Sequence, residues 1–215
     1  MNAASHSAGR FIAFEGGEGV GKSTQGRLLA ATLRERGLEV VTTREPGGTA
    51  GAEAIRAMLL STEGEGWGAR AEALLFAAAR ADHVERLIRP ALARGAWVIC
   101  DRFVDSSRAY QGAGGGLCDE EVMTLHRIGS GSLLPDVTIL LTLPPEAAAA
   151  RLAKRDGDDA DRIGGRSAAF HARVASAFRG FAEQEPERFV VIDALGTVDD
   201  VHHRIMAALG PHLPA

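Results

Sequence analysis

The sequence predicts an α/β fold of three layers, in which a five-stranded parallel sheet is flanked by helices on both faces. Two observations carry this reading. Five short apolar runs, Phe11–Phe14, Leu38–Thr42, Trp97–Cys100, Val137–Leu143 and Phe189–Ile192, recur along the chain and read as strands buried on both faces. Between them lie segments with apolar residues at helical spacing, such as Leu28, Leu29 and Leu33, or Leu74, Leu75, Val84, Leu87 and Ile88. Strand and helix in alternation imply parallel pairing through right-handed crossovers.

A chain of 215 residues can bury one sizeable core but not two. The expected organisation is a flexible N-terminal tail over 1–9, small and polar and unlike a secretory signal, followed by one domain over 10–215. With 46% apolar residues and no apolar run near the ~20 residues that span a bilayer, no membrane is expected as a partner. A net charge of −4 argues against nucleic acid, whose backbone is met by clustered Lys and Arg. Cys100 and Cys118 have no metal-like spacing and read as reduced thiols, which places the protein in the cytoplasm.

The first strand runs into Glu15, Gly16, Gly17, Glu18, Gly19, Val20, Gly21, Lys22, Ser23 and Thr24, a G-x-x-x-x-G-K-[ST] motif in the strand-to-helix setting that it requires. Glycines let successive backbone N–H groups turn inward around a β-phosphate, and the following helix presents its positive end. Lys22 reaches β- and γ-phosphates and Ser23 offers a hydroxyl to Mg²⁺, so ATP with Mg²⁺ is the expected ligand of a P-loop NTPase fold. The motif alone does not separate kinases from ATPases or switches.

The third strand ends in Asp101, Arg102 and Phe103, at the carboxyl edge where open α/β sheets bind ligands. Asp101 could hold the hydration shell of Mg²⁺; Arg102 could bridge donor and acceptor phosphates with its planar fork, although a solvated turn salt bridge is an equal alternative. A glycine-rich turn is expected over Gly112–Gly116. After the fourth strand, Arg151–Arg166 mixes charges of both signs without apolar periodicity and reads as a mobile surface loop. After the fifth strand, Asp193–Thr197 is the expected adenine side.

Together these residues resemble the thymidylate kinases, in particular the bacterial branch, over nearly the whole chain from Phe11 to about Leu209. The resemblance is carried by the P-loop, Thr43-Arg44-Glu45-Pro46-Gly47-Gly48-Thr49, Phe76-Ala77-Ala78-Ala79-Arg80, Asp101-Arg102-Phe103, Ser106, Ser107, Tyr110-Gln111-Gly112 and Asp161-Arg162. It implies a homodimer that phosphorylates dTMP to dTDP with ATP-Mg²⁺ in dTTP synthesis, the substrates being dTMP and ATP. Phe76 then stacks on thymine, with Arg80 one helical turn later bonding the base. Ser107 contacts the ring, with Pro46, Ser106 and Gln111 beside it in the acceptor pocket. Tyr110 crowds the sugar 2′ carbon and disfavours ribonucleotides. Glu18 meets the 3′-hydroxyl, and Arg56 and Arg102 grip the acceptor phosphate. Arg44 is equally a ligand contact or an organiser of the Glu45-Pro46-Gly47 turn.

Because the acceptor is already a phosphate oxygen, no general base is required, and the seven histidines read as surface or core residues. The resemblance also implies catalytic cations in a lid over about 151–166, with Arg155, Arg162 or Lys154 as candidates. Here Asp161-Arg162-Ile163 continues with Gly164-Gly165, where the family usually has an acid. Two rivals remain at this point: a kinase for another nucleotide or deoxynucleoside, and a nucleotide-dependent switch.

Overall fold

The computed structural model describes residues 9–156 and 162–213, apart from the side chains of 152–156. Its strands are β1 (Phe11–Glu15), β2 (Val40–Arg44), β3 (Trp97–Asp101), β4 (Val137–Thr142) and β5 (Phe189–Asp193). They form one parallel sheet in the order β2-β3-β1-β4-β5. The helices are α1 (Lys22–Glu35), α2 (Ala50–Leu60), α3 (Ala69–His83), α4 (Arg89–Ala93), α5 (Val104–Ser107), α6 (Asp119–Ser130), α7 (Pro145–Asp156), α8 (Ala168–Gln184) and α9 (Val198–Leu209). Wider π-helical stretches follow α3 at Val84–Ile88 and α5 at Arg108–Gly114.

Successive strand residues point to opposite faces, and the sequence fills both. Ile12 and Phe14 meet Leu29 and Leu33 of α1 and Val201 and Ile205 of α9 on one side. Phe11 and Ala13 meet Ile88, Val98, Cys100 and Phe103 on the other, beside a further cluster of Leu140, Phe76, Tyr110, Phe170, Val174 and Phe178. Each large side chain taken out of water into such a core stabilises the fold by about 1.5–3 kcal/mol.

All five expected strands are present, with one shifted. The second starts at Val40 rather than Leu38, because Leu38 belongs to the cap that closes α1 behind Glu35: its N–H bonds to Leu33 O at 3.2 Å across Gly37, which has a φ of 81°. Two other expectations are corrected. The anticipated turn at Gly112–Gly116 is helical through Gly114, where the missing side chain lets α8 approach: a Cβ on Gly114 would lie 2.6 Å from the Phe170 ring. The charged segment that was to be a loop from Arg151 continues α7 to Asp156, as its alanine-rich start favours. Gly157–Asp161 and residues 1–8 of the expected tail lie outside the described residues.

The sheet positions the site through its registers. Phe14 pairs with Asp101, and Arg44 pairs with Asp101 from the other side. The P-loop, Asp101-Arg102 and Arg44-Glu45 therefore leave the sheet side by side at its carboxyl edge.

Candidate active site

A cavity of about 780 Å³ opens at that edge. Its donor half is the P-loop. Gly16 has a φ of 131° and approaches β4 so closely that a Cβ would lie 2.4 Å from Leu141 O, so only glycine fits there. Lys22 is folded over the loop, donating to Gly16 O at 3.1 Å and Gly17 O at 2.6 Å. Burial, and after it the charge of Arg102, lowers its pKa to about 8. Below that pH the ammonium is charged and attracts phosphate; above it the attraction fades. ATP affinity is therefore expected to weaken as pH rises through about 8, a trend that calorimetric titration from pH 6.5 to 9.5 would check and that a flat profile would contradict.

Ser23 donates its hydroxyl proton to Asp101 Oδ2, joining the start of α1 to the end of β3. At the outer end, Arg151 of α7 donates to Ala194 O at 2.9 Å and Val20 O at 3.5 Å. Gly196, Thr197, Val198 and Val201 complete this wall of the cavity.

Arg102 forms the partition between the two halves. It is a non-glycine residue held in the left-handed region, at a φ of 70°. Its Nη2 donates to Glu18 Oε1 at 2.6 Å; its Nη1 donates to Gly16 O at 3.2 Å and Ser106 Oγ at 3.1 Å. The guanidinium lies 5.0 Å from the centroid of the Tyr110 ring.

The acceptor half is built on α2, α3, α5 and the π-helical stretch behind α5. Phe76 and Arg80 lie on one face of α3 and line the cavity with Pro46, Arg56, Leu60, Ser107 and Ile163. Arg80 is buried and locked: Nε donates to Glu45 Oε2 at 2.7 Å, and Nη2 to Ser107 Oγ at 2.9 Å and Phe103 O at 3.3 Å. The other oxygen of Glu45 meets His83 Nδ1 at 3.0 Å, and His83 Nε2 meets Thr43 Oγ1 at 2.7 Å. Arg56 donates to Pro46 O at 2.8 Å, and Gln111 Nε2 to Glu72 Oε1 at 2.9 Å.

The P-loop side and the Phe76–Arg80 side thus share one cavity, with the Arg102 guanidinium between them. Against known proteins, residues 14–205 match the family model described as thymidylate kinase. The chain belongs to the thymidylate kinase family. It is 59% identical to a thymidylate kinase of Rhizorhabdus wittichii over 206 residues, covering 96% of this chain and 99% of that protein. It is 50% identical to one from Nitrobacter winogradskyi, covering 94% and 88%. The crystal structure of thymidylate kinase from Ehrlichia chaffeensis superposes with a TM-score of 0.75 at 31% identity, covering 94% and 99%. The chain is an ATP-dependent nucleoside monophosphate kinase that converts dTMP to dTDP in the synthesis of dTTP.

Most of the residues singled out by sequence meet in the cavity: Glu18, Gly19, Val20, Gly21, Lys22, Ser23, Thr24, Pro46, Arg56, Phe76, Arg80, Asp101, Arg102, Ser106, Ser107, Tyr110 and Gln111 all line it. Arg44 lines the cavity as well, and its Nη2 donates at 3.2 Å to Glu53, which also accepts from Gly48 N at 3.0 Å. Arg162, expected among the catalytic cations, is elsewhere: it donates to Ser61 O, Glu63 O and Gly64 O at 2.5, 2.6 and 3.2 Å, which anchors Ile163 over the acceptor half. The side chains of Lys154 and Arg155 lie outside the described residues.

Sequence reasoning missed Arg151, Glu45, Glu72 and Glu15. Arg151 carried no local signal, since its segment reads as a charged loop and its partners Val20 and Ala194 are distant in the chain. The three carboxylates work through tertiary partners. Glu72 joins Gln111 to Arg166. Glu15, fully buried at the end of β1, has its carboxyl pushed up to about 7 by burial first and Asp105 second, against the pull of Arg102 and of the groups that donate to it.

Proposed function

We propose that transfer runs across Arg102, with ATP on the P-loop side and dTMP on the side of Phe76 and Arg80. The observation that carries this reading is the bridge from Arg102 to Glu18 and Ser106 at the junction of the two half-sites. Phosphoryl transfer asks the protein for alignment and charge neutralisation rather than covalent chemistry. Lys22, now occupied by Gly16 O and Gly17 O, would exchange these carbonyls for β- and γ-phosphate oxygens. Arg102 and Arg56 would hold the acceptor phosphate in line, and Glu18 would orient the sugar through its 3′-hydroxyl.

Phe76 would stack on thymine while Arg80 and Ser107, already bonded to each other, present donors to the base edge. Glu45 balances the charge of Arg80 and fixes its fork, which makes base recognition rigid before substrate arrives. The hard oxygen pair of Ser23 Oγ and Asp101 fits Mg²⁺, the rest of whose shell would come from phosphate and water. When bound, the ion neutralises charge on the transferred group. Among the described cations outside the P-loop, Arg151 borders the donor half and is the one we assign there; Arg155 would join it from the lid over about 151–166.

The same reading covers assembly and location. One kinase domain over 10–215 would pair as a homodimer through the α3 and α6 side, where Leu74 and Ile128 are 56% and 72% exposed. Free Cys100 and Cys118 suit the reducing cytoplasm.

Tyr110 is the cleanest test of the acceptor placement. Its buried ring packs against Phe170 and Phe178 and walls the cavity beside Arg102. In Tyr110→Leu the preference for dUMP over UMP, measured as the ratio of kcat/KM, should fall by about tenfold or more, the range over which shape alone discriminates. An unchanged ratio in the folded variant would remove Tyr110 from the sugar site.

A further inference from the structure

The carboxylate of Glu15 is fully buried and does not line the cavity, yet the hydrogen bonds it accepts come from the turn that carries Arg102. Oε1 accepts from the N–H groups of Phe103 at 2.8 Å and Ser106 at 3.0 Å. Oε2 accepts the hydroxyl proton of Ser106 at 2.6 Å. A serine hydroxyl has one proton to give; with it committed to Glu15, the oxygen turns its lone pairs to Arg102 Nη1 at 3.1 Å. The backbone of Arg102 is meanwhile held at a φ of 70°, a conformation a non-glycine residue keeps only when its surroundings impose it.

We propose that Glu15 is a positioning residue for Arg102: it clamps the turn from Phe103 to Ser106 and, through Ser106 Oγ, sets the direction of the guanidinium that receives the acceptor phosphate. A purely structural carboxylate in this place would cap two backbone N–H groups and stop there. The third bond, with its onward link to the guanidinium, makes the direction of one hydroxyl depend on the charge of Glu15. Asp105, also fully buried, instead neutralises Arg108 and Arg188, and the two acids divide the turn between its inner and outer partners.

The inference rests on Arg102 touching the acceptor phosphate, and the experiment separates the two claims. Dissociation constants for dTMP and for ATP, with kcat and the thermal midpoint, are measured for the wild type and for Glu15→Gln, Ser106→Ala, Arg102→Ala and Glu15→Gln/Arg102→Ala. In Glu15→Gln the amide oxygen still caps Phe103 N–H and Ser106 N–H, but the amide N–H now donates to Ser106 Oγ and frees the hydroxyl proton to oppose the guanidinium. We expect dTMP binding about tenfold weaker, the scale of one disturbed bond to a charged group, with ATP binding changed less than about twofold. Ser106→Ala keeps the buried acid and its two backbone donors and removes only the hydroxyl that links it to Arg102; it should move in the same direction, so it carries the test if Glu15→Gln is poorly folded. Adding Glu15→Gln to Arg102→Ala should then cost dTMP affinity nothing further. Unchanged dTMP affinity in both Glu15→Gln and Ser106→Ala, or an equal loss with and without Arg102, overturns the role of Glu15 even where Arg102→Ala weakens dTMP as expected. Normal dTMP affinity in Arg102→Ala overturns the assignment of Arg102, and the inference with it.

Discussion

Arg102→Ala should lower kcat/KM for dTMP by about 10³-fold or more, the scale on which a single cation acts on phosphoryl-transfer charge. The size of the effect follows from place. This guanidinium contacts Glu18 and Gly16 of the P-loop and Ser106 on the Phe76–Arg80 side together, a span that its planar fork allows. Arg102→Lys should recover little, because an ammonium cannot span the same partners. Stability should respond differently: Arg102→Gly, free to adopt a φ of 70°, should melt above Arg102→Ala while being equally slow. A folded Arg102→Ala enzyme with near-normal turnover would place the transfer step elsewhere in the cavity.

Removing the P-loop cation is the second large effect. Lys22→Met keeps most of the side-chain length, and methionine tolerates the buried setting, so the fold should survive. On the proposed role of Lys22, what is lost is a charge that would stay on the β- and γ-phosphates as negative charge shifts between them, so kcat should fall by about 10²-fold or more, not merely ATP affinity. Single-turnover measurement at saturating ATP separates the two. A variant that needs more ATP but turns over at the normal rate once saturated would show that Lys22 binds the ground state only.

The parts of this protein that were legible from sequence are those whose physics is local. Buried parallel strands are continuous apolar runs, so Phe11–Phe14 and Val137–Leu143 announce themselves; the P-loop needs its glycines, lysine and hydroxyl residue within one short stretch. Leu38 was misread as strand because apolar character does not say whether a residue ends a helix or opens a strand. Gly112–Gly116 looked like a turn because the reason for Gly114, the ring of Phe170, lies in a helix far along the chain. Phe76 could not be told from core by periodicity, and it is core as well as wall; only its family context marked it.

The buried acids were the least legible. Glu45 follows β2 and Glu15 ends β1, and nothing in either neighbourhood names Arg80, His83 or Ser106 as partners. Their meaning exists only once the registers of β1, β2 and β3 bring distant segments to one edge. Arg162 shows the converse: a cation in a charged segment invites a catalytic role, whereas its guanidinium is satisfied by the carbonyls of Ser61, Glu63 and Gly64.

The Arg80–Glu45–His83 cluster also constrains how this enzyme could evolve. Replacing Arg80 alone, on its proposed role the first step toward a different base, strands Glu45 in the interior beside His83, and replacing Glu45 alone leaves an uncompensated guanidinium. Either single change crosses a fitness valley that the paired change avoids. Base preference in this lineage should therefore be strongly epistatic, with residues 45 and 80 inherited as a unit while the strand-end machinery beside them remains free to serve another acceptor.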